Sequence, residues 1–166
     1  MKKIVLTFID LEIIILRRML MVINTRAFGD IEIEENKEIE FLSPLPGFPE
    51  SSKYVLIYDE EDETFCWLQS LDEPHVAFAV LNTLTVLKDY NPNFPIDELG
   101  ELKDTKDDLL IYNIVVIPDE IENATVNLKA PVLIDSKRRI GRQVIANNEE
   151  YSIRQQIVSK VGTGNG

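Results

Sequence analysis

Short runs of alternating apolar and polar residues dominate this chain, and they point to strands rather than helices. In "NTRAFGDIEI", residues 24 to 33, Ile31 and Ile33 alternate with Asp30, Glu32 and Glu34, the period-two mark of a half-buried strand, and Gly29 and Asp30 signal a turn between two runs. "EIEFL", residues 38 to 42, alternates in the same way. The runs "KYVLIYD" at 53 to 59, "TFCWLQSL" at 64 to 71 and "VAFAVL" at 76 to 81 are rich in β-branched and aromatic residues. The turns "EEDE" and "DEPH" separate them, which predicts a meander of three strands. "LLIYNIVVIP", residues 109 to 118, is almost continuously apolar, as a central strand covered on both faces would be, and Pro118 ends it. "ATVNL", "PVLID" and "RQVIA" predict three further strands, with "SKRRIG" as the turn between the last two.

Two stretches interrupt the strands. In "SPLPGFPE", residues 43 to 50, Pro44, Pro46 and Pro49 cannot donate ladder hydrogen bonds and Gly47 permits a left-handed turn, so a rigid loop carrying Leu45 and Phe48 is expected. Between Asn82 and Asp108, "YNPNFP" reads as a loop and "IDELGELK" as one or two helical turns, with Asp97 and Glu98 near the positive start. About nine short strands with closely spaced turns define a mainly β fold class: a small antiparallel β-barrel-like domain with one or two short helices.

The first 20 residues, "MKKIVLTFIDLEIIILRRML", begin like a secretory signal, but Asp10 and Glu12 interrupt the apolar run and no small-residue cleavage site follows. The apolar run is also shorter than the roughly 20 residues that span a bilayer. Neither export nor membrane anchoring is expected. Residues 1 to 20 are read as an extension upstream of the first strand, with Met21 as the expected start; 21 to 154 are expected to form a single β domain and 155 to 166 a flexible, finally Gly-rich tail. At 166 residues, one domain accounts for the chain.

Charge narrows the choice of ligands. Against 17 Lys and Arg stand 29 Asp and Glu, a formal net charge of −12, which disfavours direct binding to a phosphate backbone and favours a basic partner or plain solvation. A single cysteine excludes an internal disulfide, and one Cys with one His falls short of a structural zinc site, so no metal or cofactor is expected.

The single Cys, Trp and His lie together in "FCWLQSLDEPHVAF", residues 65 to 78. A catalytic thiol needs a lowered pKa, a base within hydrogen-bond reach and a group orienting that base. Cys66 between Phe65 and Trp67 has no local positive charge, and His75 sits in an acidic turn, so a structural Cys and a solvated His are the simpler reading. The alternative class is a thiol- or carboxylate-dependent hydrolase using Cys66, His75 and the acidic run 59 to 63. That run lacks the turn glycine and ligand spacing of a calcium loop. Lys137, Arg138, Arg139 and Arg142 form a basic hairpin tip. Leu45 and Phe48 on the proline loop, and Tyr90 and Phe94 in the long loop, either anchor a protein partner or close the ends of the barrel.

Several of these segments, in order, resemble one family: "INTRAFGDIEI", "LPGFPESSKYVLI", "FCWLQSLDEPHVAFAV", "IVVIP", "TVNLKAPVLID", "GRQVI" and "YSIR" are similar to the successive motifs of the FliW flagellar assembly factors, from about Val22 to Arg154. The resemblance implies a non-enzymatic, cytoplasmic binding module, monomeric when free, that contacts neither nucleic acid nor membrane directly. It implies two competing partners, flagellin before export and the translational regulator CsrA, whose repression of flagellin mRNA the factor relieves. The residues expected to bind partners are then Leu45, Pro46, Phe48, Gln69, Asp72, Glu73, Pro74 and Tyr90, while Asn127, Pro131 and Gln143 are motif positions that serve either framework or contact.

Overall fold

The computed structural model describes residues 20–58, 64–105 and 108–157. Eleven strands are found among them: β1 (Leu20–Thr25), β2 (Gly29–Glu34), β3 (Ile39–Phe41), β4 (Lys53–Tyr58), β5 (Phe65–Ser70), β6 (Ala77–Asn82), β7 (Leu109–Val116), β8 (Thr125–Val126), β9 (Val132–Asp135), β10 (Ile140–Gln143) and β11 (Gln155–Gln156). Two short helices, α1 (Thr83–Val86) and α2 (Ile96–Leu99), fill the long connection from β6 to β7, and a 3-10 turn at Gly100–Asp104 follows α2.

Seven strands close into a barrel in the order β7-β6-β5-β4-β3-β10-β9, and pairing of β9 back onto β7 completes the ring. The expected meander is β4-β5-β6, antiparallel in register from Tyr54 opposite Ser70 to Phe65 opposite Leu81. Every barrel pairing is antiparallel except β3 with β10, which run parallel with Glu40 opposite Ile140. The apolar run at 109 to 118 becomes β7, which pairs with β6, β8 and β9. β1 and β2 form a separate hairpin, while β8 and β11 extend the sheet outward from β7.

Strand alternation sorts the apolar residues into layers. One set fills the interior, including Ile39, Phe41, Tyr54, Cys66, Leu68, Val80, Val132 and Ile134, with Leu45 and Phe48 of the proline loop packed in from one end. Fully burying each of the aliphatic side chains contributes about 1.5–3 kcal/mol. A second cluster joins Leu81 and Val115 to Tyr90, Val126 and Leu128, and a third joins Leu133 and Val144 to Leu102. The interrupted region from 82 to 105 is therefore the outer wall over these faces rather than a free loop.

Two boundaries shift from expectation. Gln155 and Gln156 pair with Val126 and Thr125, and Ile157 packs in the second cluster, so the folded unit continues past 154. Leu20 opens β1, opposite Glu34. The rest of the expected extension, 1 to 19, the acidic run 59 to 63 and the end of the tail, 158 to 166, lie outside the described residues.

Candidate functional site

The alternative reading of Cys66 and His75 as an enzymatic pair is taken apart by the strand geometry. Cys66 points into the barrel at 2% exposure, and burial pushes its thiol up to about 12. Phe65 and Trp67 stand on the outer face at 38% and 37% exposure, where Trp67 meets Phe28 of the β1–β2 turn edge-to-face at 5.6 Å. His75 lies in the exposed turn beyond Ser70, which is about 13 Å along the strand from Cys66 at roughly 3.3 Å per residue. Its neighbour is the Glu73 carboxylate at 4.0 Å. No nucleophile and base meet here. Among the described residues, no three His, Cys, Asp or Glu side chains cluster in a way that would hold a metal ion.

The tip between β5 and β6 is instead a clamp. The Asp72 carboxylate accepts from the Ser52 and Lys53 backbone N–H groups at 2.7 and 2.9 Å and from the Ser52 hydroxyl at 3.2 Å. Partial burial raises the Asp72 pKa, but these donors and the Lys53 charge outweigh it and hold the carboxyl below its ordinary value. Ser51 donates its hydroxyl to Glu73, and Ser70 donates to Ser51 at 3.0 Å. The Gln69 amide nitrogen reaches the carbonyls of Ser70, Pro74 and Val76 at 2.8, 3.3 and 3.0 Å. The Pro74 carbonyl also accepts from the Arg26 N–H at 3.2 Å, which fastens the β1–β2 hairpin to the tip.

All of the eight residues expected to bind partners except Tyr90 lie on the proline loop or the tip, which Ser51, Ser52 and Lys53 bolt together. Phe48 packs edge-on against Phe78 at 4.9 Å, and Leu45 is buried in the interior. Pro46, Asp72 and Pro74 are exposed, and Glu73 and Phe48 are half-buried. Three residues differ from expectation: Leu45, Gln69 and Tyr90 are 2%, 0% and 5% exposed, so they hold the fold and present no free surface. Tyr90 also lies elsewhere, stacked near Tyr151 and donating to the Leu128 carbonyl at 2.9 Å while Asn113 donates to its hydroxyl at 3.1 Å. Burial pushes the Tyr90 phenol up to about 12, so it stays a neutral tether.

A groove of about 610 Å³, unmarked in the sequence, lies beside the proline loop. Ser43, Pro44 and Pro46 form one wall, Pro95 and Glu98 another, and Asn127, Gln143 and Ile145 line it as well. Ile145 is 64% exposed. Asn127 and Gln143, motif positions of undecided role, are framework in part: Asn127 Oδ1 accepts from the Ala130 N–H at 2.9 Å, and the Gln143 amide donates to the Ala130 carbonyl at 2.9 Å. The signal available in sequence was the dense proline loop; what lay opposite it was not.

Fold and surface together define a small closed-barrel β protein with a stiffened loop, an acidic tip and an open groove. A family model described as FliW protein matches residues 22–157. The flagellar assembly factor FliW of Caldanaerobacter subterraneus subsp. tengcongensis is 41% identical over 147 residues, covering 85% of this chain and 95% of that protein. Its counterpart from Thermoanaerobacter pseudethanolicus is 42% identical over 145 residues with the same coverage. A crystal structure of the flagellar assembly factor FliW matches with a TM-score of 0.74 at 31% identity, over 82% of this chain and 96% of that one. The chain belongs to the FliW family of flagellar assembly factors. No helix among the described residues is long and apolar enough to cross a membrane.

Proposed function

We propose that this chain works in the cytoplasm as a non-catalytic switch that binds flagellin and CsrA in turn, so that export of flagellin frees it to sequester CsrA and relieve repression of flagellin translation. The observation that carries this reading is the family match across nearly all of the described barrel, residues 22–157. The surface is consistent with it: Pro46, Asp72 and Pro74 are exposed, Phe48 and Glu73 half-buried, and the hydrogen bonds from the 51–53 segment to Asp72 and Glu73 stiffen loop and tip, so that little entropy is lost on binding. The test is to mix the purified protein with flagellin and CsrA, separately and together. Two complexes that exclude each other are expected, and failure to form either ends the reading.

Charge gives the CsrA arm a mechanism. A body of net charge −12 attracts a basic RNA-binding protein and repels the phosphates of its message. Glu32, Glu34 and Glu50 are exposed. Replacing all three with Gln is expected to weaken release of RNA from CsrA about several-fold at low salt and to flatten its salt dependence. Release that is unchanged across salt concentrations would remove the electrostatic part.

A further inference from the structure

β10 is half-open where it borders the groove. Its ladder with β3 ends when the Leu42 N–H bonds the Gly141 carbonyl at 2.9 Å, because the chain then turns into Ser43 and Pro44. On its other side the strand keeps its partner: the Val144 and Ala146 N–H groups bond the carbonyls of Pro131 and Lys129 at 3.0 and 2.8 Å. Alternation then aims the backbone N–H and C=O groups of Gln143 and Ile145 away from that partner, toward the side β3 has left. Among the described residues none of these four groups has a bond to another backbone group. Gln143, Ile145, Pro44 and Pro46 all line the same groove, so the unpaired edge faces it. A row of unpaired strand groups beside a cleft is a template for an added strand.

We propose that this edge is a strand-addition site for an extended segment of a partner protein, apolar at alternate positions and bearing a Lys or Arg opposite Glu98. Ile145 and the prolines supply the apolar lining. Glu98 is the charged side chain on the groove wall, it has no ion pair among the described residues, and it sits on a chain of net charge −12, so a basic segment is favoured over an acidic one. Nearby Arg142 is engaged, donating to the Glu98 carbonyl at 2.8 Å. The proline loop keeps the edge from pairing with the protein's own chain while leaving it reachable.

The site rests on the binding reading above only for the partner's identity. The probe is a fluorescein-labelled peptide alternating valine and lysine, with a backbone N-methylated version that cannot complete the ladder. Saturable binding to the full chain is expected, weakened at least about tenfold by N-methylation or by Ile145→Pro, which deletes one edge donor. Glu98→Gln is expected to reduce both affinity and salt dependence with the melting temperature unchanged. Hydrogen exchange on the unaltered protein gives an independent readout: the Gln143 and Ile145 amides exchange rapidly in the free protein and slow down with peptide. Equal binding of both peptides, or amides already protected in the free protein because a second copy covers the edge, overturns the site. If flagellin and CsrA bind while these amides stay unprotected in both complexes, the site fails and the functional reading stands. If neither partner binds but the peptide protects the amides, the site stands alone.

Discussion

At Cys66 one strand's alternation settles the chemistry: the thiol faces the barrel interior while Phe65 and Trp67 face out. With its pKa pushed up to about 12, the thiol should resist a disulfide reagent at about pH 8 in the folded protein and react on unfolding. Cys66→Ala should leave partner binding intact, and Cys66→Ser should cost about 1–3 kcal/mol in urea unfolding by burying a hydroxyl among apolar groups. Asp135 is the opposite case, a buried carboxylate that stays charged. Burial raises its pKa, but N–H groups of Arg138 and Lys137, the Thr105 hydroxyl at 2.7 Å and the Arg138 guanidinium at 2.7 Å outweigh this and hold it well below the usual carboxylate range. A depressed native pKa gives stability that is fully present above the unfolded value of about 4 and is lost as pH falls below it. Asp135→Asn should therefore destabilise by about 2 kcal/mol at neutral pH and less in acid, read from unfolding midpoints across pH. A structural role for Cys66 was legible in sequence, but the face it takes and the buried charge of Asp135 were not. Gln69 and Tyr90 looked like surface anchors because a polar residue near a strand end, or an aromatic one in a loop, carries no mark of what will be packed over it.

Among elements, the parallel β3–β10 pair depends on a close approach. A Cβ on Gly141 would stand 2.8 Å from Phe41 Cε2, so the glycine makes room for the ring that fills the interior. Gly141→Ala should cost about 1–3 kcal/mol, relieved in part by shrinking Phe41 to Leu, as thermal unfolding of the single and double variants would show. The β9–β10 turn places Arg139 at a φ of +56°, a region costly for a side chain with a Cβ. Arg139→Val should destabilise by about 1–2 kcal/mol relative to Arg139→Gly, measured by urea midpoints. The meander β4-β5-β6 and the hairpin β9–β10 were legible because neighbours in sequence pair through short turns. The β3–β10 and β7–β9 pairings were not, since they join segments far apart along the chain, and no local pattern encodes which distant edge is free.

For the whole molecule, local pattern determined that the chain is mainly β, which segments become the barrel strands, where the proline loop interrupts them, and that the net charge is acidic. The ordered motifs also pointed to the family. These properties follow from side-chain periodicity, proline's missing N–H and summed charge, all of which act without long-range contacts. Tertiary structure alone decided that the barrel closes through β7 and β9, that the tip grips the end of the proline loop through Asp72 and Glu73, and that the backbone groups of Gln143 and Ile145, without backbone partners among the described residues, border a groove. Each depends on which remote segments share space, and burial and hydrogen-bond satisfaction can choose among those arrangements only once the chain has closed upon itself.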